Sequence, residues 1–113
     1  MSTLQERLQP LQDEAGQALL LNNELRHLKS NNSFNKVIMV EYMQNHAVQL
    51  VKSLAGAKTS DEESVIMDQI RSISTLNAWL QSVEVAADQA VHTIRECEVA
   101  LAEDNQDIDE GDL

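Results

Sequence analysis

Residues 60–102 read SDEESVIMDQIRSISTLNAWLQSVEVAADQAVHTIRECEVALA, and the spacing of their apolar side chains decides the fold. Ile66, Ile73, Leu80, Ala87, Ile94 and Leu101 fall seven residues apart, and Leu76, Val83, Ala90 and Cys97 each sit three residues after Ile73, Leu80, Ala87 and Ile94. Apolar residues repeating in this pattern keep one face of a helix against a partner helix along its whole length. The stretch therefore predicts one long, coiled-coil-like helix. Ser60 and Glu63 stand in capping-box spacing at its start, and Asp61 and Glu62 suit the positive end of the helix dipole.

Upstream, Ala57–Thr59 form a turn, and Gly56 is placed to end the preceding helix in a left-handed cap, with Lys52 suiting its negative end. That helix covers about 34–55 and carries Val37, Val40, Met43, Ala47, Leu50, Val51 and Leu54 on one face, which Ile38, Met39 and Tyr42 broaden enough to contact more than one neighbour. Ser30-Asn31-Asn32-Ser33 is a polar break in which Asn32 or Ser33 can act as the next N-cap. Before it, Leu4, Leu8, Leu11, Ala15, Ala18, Leu21, Leu25 and Leu28 predict a helix over about 4–29, opened by a Thr3–Glu6 capping box. Pro10 removes a backbone donor and clashes one turn back, so this helix either starts properly at Pro10 or kinks there. Gly16 weakens it by about 1 kcal/mol relative to Ala.

These lengths restrict the architecture. The third helix spans about 63 Å and the second only about 31 Å, so the second cannot cover it alone. The fold class is all-α, as a long helical hairpin or an elongated three-helix bundle. In the hairpin, helices 1 and 2 continue end to end and helix 1 packs near Ala86–Leu101; in the bundle, helix 1 folds back on the first half of helix 3. Residues 1–102 make a single helical domain. Residues 103–113 carry six carboxylates and no basic residue, which predicts a disordered acidic tail.

Composition excludes several functions. With 19 acidic against 8 basic residues and a net charge of −11, a duplex-binding surface of clustered Lys and Arg has no material to draw on. No run of about 18 apolar residues is present to span a membrane, and Met1–Arg7 lacks the pattern of a secretory signal. The single cysteine, Cys97, lies on the seam and reads as a small buried hydrophobe; it fits a reducing compartment.

No catalytic, cofactor-binding or metal-binding set emerges. His27, His46 and His92 have no pair at the spacing that puts two imidazoles on one helical face, and His92 with Glu96 reads as an exposed helical pair. There is no phosphate-binding glycine loop and no nucleophile elbow. The chain is expected not to be an enzyme. Asn77 lies close to the seam and is a candidate for fixing register or partner number, while Trp79 reads as a core or subunit-contact anchor.

An interaction role is what remains. The candidate oligomer or partner interface is Ile66, Ile73, Leu76, Leu80, Val83, Ala87, Ala90, Ile94 and Leu101, where Ala86, Ala87 and Ala90 would allow close helix approach; the alternative is that the whole stripe is satisfied inside one monomer. A possible acidic docking tail comprises Glu103, Asp104, Asp107, Asp109, Glu110 and Asp112.

The order Asn31-Asn32-x-Phe34-x-Lys36-Val37-Ile38, then Tyr42, then Ala47-Val48-x-Leu50-Val51, followed by Ile70, Ile73, Leu76 and Trp79, resembles a group of small acidic helical proteins of tailed bacteriophages, often encoded among head and packaging genes. The likeness covers about Leu25 to Ala90 and leaves out the N-terminal arm with Pro10. It implies a virion-associated or assembly protein, in the virion or the host cytoplasm, with itself and other virion or assembly proteins as partners. It assigns no functional residue. The second expectation is an acidic mimic of DNA that inhibits a host DNA-binding protein through the tail and the helix 3 carboxylates.

Overall fold

The computed structural model describes residues 2–111, with side chains as far as Asn105. The fold is all-α, with no strand among the described residues. Helix α1 is Leu4–Lys29. Helix α2, residues 32–55, begins as a single α turn at Asn32–Phe34, continues as a π-helix over Asn35–His46 and returns to α-helix at Ala47–Ala55. Helix α3 is Ser60–Gly111. The chain divides into two compact units, one of Met1–Asn23 with Val83–Leu113 and the other of Glu24–Ser82.

The helix starts follow side-chain capping, with two shifts of residue. Thr3 caps α1 as its spacing predicts, its Oγ1 accepting from the Glu6 N–H at 3.1 Å. At α2 the cap is Asn31, whose Oδ1 accepts from the Phe34 N–H at 3.0 Å, one residue before the Asn32 or Ser33 that the polar break suggested. At α3 the cap is Thr59 and not Ser60: its Oγ1 accepts from the Glu62 N–H at 3.1 Å, and Glu62 reaches back to accept from the Lys58 N–H at 2.9 Å. This is a capping box shifted by one residue and closed one residue further out, because a hydroxyl residue and a glutamate stand at the required spacing of three in both registers, Thr59–Glu62 and Ser60–Glu63.

Three other expectations are corrected. Gly56 does not adopt a left-handed conformation; its φ is −96° and ψ is 0°, and the end of α2 is closed by three-residue turns from Gly56 to the Ser53 carbonyl and from Ala57 to the Leu54 carbonyl. Helix α1 starts at Leu4 and runs through Pro10 without interruption. Proline there forgoes one backbone bond, and a helix already capped by Thr3 and extended for five further turns tolerates that loss. Helix α3 also continues past Ala102 to Gly111. Extension of a nucleated helix gains one hydrogen bond per residue fixed, and residues 103–110 contain no glycine or proline to stop it.

In the first unit, the early turns of α1 lie along α3 beyond Val83. Leu11, Glu14, Ala15 and Ala18 face Ala86, Gln89, Ala90 and Thr93 across a shared groove, which puts α1 at the position the hairpin arrangement assigned to it. The inward residues of α1 include Ala15, Asn22 and Leu25, whereas Leu11 and Leu21 are 49% and 48% exposed. Of the stripe that the sequence suggested, Leu4, Leu8, Ala15, Ala18 and Leu25 are buried or half-buried, while Leu11, Leu21 and Leu28 are exposed. Leu8, Ala15 and Asn22 repeat every seven residues, so Asn22 occupies a seam position, is buried, and has an Oδ1 without a hydrogen-bond partner. Asn77, the residue suggested for that role, is exposed.

In the second unit, α2 and the start of α3 form an antiparallel pair across the 56–59 turn, with Met39, Met43 and Ala47 facing Ile70, Ile73 and Asn77. The π-helix changes which residues face inward. It bonds five residues back and has about 4.4 residues per turn, so its contact residues recur every four to five positions. Phe34, Ile38 with Met39, Tyr42 with Met43, and Ala47 follow that step and are half-buried; Leu50 and Leu54 then follow the ordinary three-to-four step, Leu50 buried and Leu54 half-buried. Val37 and Val51, placed on the contact face by α-helical spacing, are each 58% exposed.

The two helical periods make opposite demands on neighbouring valine and isoleucine. Val37→Lys is expected to change unfolding free energy by no more than about 0.5 kcal/mol, and Ile38→Lys to lower it by roughly 1–3 kcal/mol; denaturant titration that ranks them the other way would restore an α-helical register. Asn22→Leu, which removes the unpaired buried amide, should raise stability by about 1–2 kcal/mol with an unchanged denaturant slope. A loss of stability would mean that the Asn22 amide is satisfied.

Candidate functional site

The seam of α3 is covered within the chain. Ile73, Leu80, Val83, Ala87 and Ala90, five of the nine residues that the spacing nominated for an interface, are 3–6% exposed, and Ile66, Leu76, Ile94 and Leu101 are half-buried. The five buried side chains belong to the chain's own core, and the four half-buried ones keep part of their surface open. Cys97, 4% exposed and reduced, continues the same phase. Asp104, seven residues further on, is a half-buried carboxylate, so the apolar seam ends chemically at that point. Of the proposed docking tail, Glu103 is exposed, while the side chains of Asp107, Asp109, Glu110 and Asp112 lie outside the described residues.

The large apolar residues that stand exposed are others. In the first unit Leu11, Leu20, Leu21, Val85, Val91 and Val99 are 44–66% exposed; in the second, Leu28, Val37, Val48, Val51, Val65 and Trp79 are 46–58% exposed. Trp79 is therefore not a core anchor. Sequence spacing missed most of these positions because it counts an apolar residue near a seam as buried. Only the packing of α1 and the wide turns of α2 show which leucines and valines are left outside.

Two open grooves run along the helix pairs. In the first unit a groove of about 210 Å³ has four alanines, Ala15, Ala18, Ala86 and Ala90, in its walls, with Leu11, Glu14, Gln89 and Thr93 completing them. In the second, a groove of about 340 Å³ is lined by Met39, Met43, Gln44, Ala47, Ile70, Ile73, Ser74 and Asn77. Among the described residues no group of three or more His, Cys, Asp and Glu side chains is placed to hold a metal ion. No helix of the described residues is long and apolar enough to cross a membrane.

Charge is divided unequally between the units. The first holds 13 carboxylates against Arg7 and Arg95, a net −11 that equals the formal charge of the whole chain; the second holds six acidic and six basic residues and is neutral. The long-range field of the first unit is therefore strongly negative, and that of the second has no net sign. Comparisons of the chain with protein-family models, characterised proteins and solved structures find no match.

The seam assignment can be checked at Cys97. A thiol-modifying reagent should label it in the folded protein only at the rate of opening of the first unit, orders of magnitude more slowly than in denaturant. Immediate labelling under native conditions would place the seam in solvent.

Proposed function

We propose that this chain is a helical protein–protein interaction module that self-associates and docks onto other proteins, in the setting of virion assembly. The observation that carries the interaction role is the contrast between a sealed seam and twelve large apolar residues left 44–66% exposed around it. Exposed apolar side chains in such number on helical pairs favour association. The viral setting rests on the resemblance around Asn31–Trp79 and would place the protein in the virion or the host cytoplasm.

Self-association belongs to the second unit on electrostatic grounds. A neutral unit in which Val37, Val48, Val51, Val65 and Trp79 are exposed meets its own copy without net repulsion, whereas the first unit would bring −11 against −11. The concentration of charge in the first unit also favours a second reading, an acidic inhibitor that occupies the DNA-binding surface of a host protein. It ranks lower because the carboxylates of α3 within the described side chains, from Asp61 to Asp104, do not recur at a regular phosphate-like interval.

Sedimentation velocity over a hundredfold range of concentration tests the first reading. The wild type should sediment as more than a monomer at high concentration, and Trp79→Glu combined with Val51→Glu should leave a helical monomer, since both positions are more than half exposed. A wild type that stays monomeric throughout contradicts self-association. Deleting residues 103–113 should leave the assembly intact; the inhibitor reading instead requires that the deletion abolish binding to a DNA-handling protein.

A further inference from the structure

We infer that the groove of the first unit, walled by Leu11–Ala18 and Ala86–Thr93, receives an amphipathic helix of a partner protein with a small or apolar contact stripe and Lys or Arg along its flanks. This deepens the interaction-module reading and rests on it.

The shape argument begins with side-chain size. Ala15, Ala18, Ala86 and Ala90 extend no further than Cβ, so the groove admits a third helix at the short end of the usual interaxial range of about 8–10 Å. Leu11, 49% exposed at its edge, lies on the same seven-residue phase as Ala18, and Leu21 lies three residues beyond Ala18, 48% exposed. Each leaves about half of its apolar surface open. A contact stripe of Ala and Leu on the incoming helix would complete the layer around α1 and α3 in this unit.

Charge selects the occupant. Glu14 lines the groove, and Glu96 and Glu103, exposed, follow Gln89 at intervals of seven and so share its side of α3. The surrounding unit is at −11. A second copy would add the same charge, and a nucleic acid would add more, whereas Lys and Arg can lay their methylene stems along Leu11 and the alanines while their heads reach Glu14 and Glu96. Association should then be fast at low salt and weaken as ionic strength rises.

The test is fluorescence anisotropy of labelled peptides titrated with the full chain. Three peptides of about 20 residues are used: a helix with an Ala/Leu stripe and Lys/Arg flanks, the same helix with Glu in place of Lys and Arg, and a scrambled sequence with the basic composition but no stripe. The basic amphipathic peptide should bind in the micromolar range, the acidic one should not bind, and the scrambled one should bind at least about tenfold more weakly. Ala86→Phe, which fills the groove, should weaken the first peptide at least about tenfold with the circular dichroism unchanged. If Ala86→Phe fails to fold, Leu11→Glu at its half-exposed position decides the same point. Equal binding of the scrambled peptide, no binding of the basic amphipathic peptide, or full binding by both variants would overturn the assignment. Should the groove fail while the wild type still self-associates through the surface containing Trp79, the interaction-module reading stands; loss of both removes both.

Discussion

The fold depends on the need of α3 to hide one continuous apolar face. Its seam runs from Ile66 to Leu101, and a helix of this kind gains little stability alone; it must be packed. The chain meets the requirement with two different elements. In the second unit α2 covers the start of α3, and in the first α1 covers the stretch around Ala86–Thr93. Cores only two helices across leave no described side chain completely excluded from solvent, and even Ala87 and Ala90 retain 3–4% exposure. That thinness has a consequence. The helices that seal the seam turn other apolar residues outward, and twelve large ones stay 44–66% exposed.

Much of this was legible in the sequence, and the limits have physical causes. The seven-residue repeat from Ile66 identified α3 and its buried phase, because a periodicity carried through six repeats leaves little freedom in register. The boundaries of α1 and α2 followed from Thr3, the Ser30–Ser33 break and Gly56. The faces of those helices did not follow as well. In α2, Val37-Ile38-Met39-Val40 is apolar without interruption, so the sequence fits both a step of 3.6 and one near 4.4; the structure takes the wider step, and Val37 turns outward. In α1, counting leucines selected Leu11, Leu21 and Leu28, while packing selected a phase that includes a polar residue, Asn22. No hydrophobicity count favours burying an asparagine. The seam was nominated as an interface for the same reason: spacing shows which face is apolar but not which neighbour covers it.

Asn22 and the division of charge suggest how specificity is built into a small helical protein. An unpaired buried amide at a seam position lowers stability and penalises alternative registers, a known use of asparagine in coiled coils. All of the net charge lies in one unit, and the other is neutral.

Each chain seals its own α3 seam. Hydrogen exchange read by mass spectrometry, at high and again at low protein concentration, reads that sealing out. The account predicts that the backbone of residues 73–97 is the most protected part of the chain and stays so on dilution. Collapse of that protection at low concentration would show that a second chain, and not α1 and α2, covers the seam.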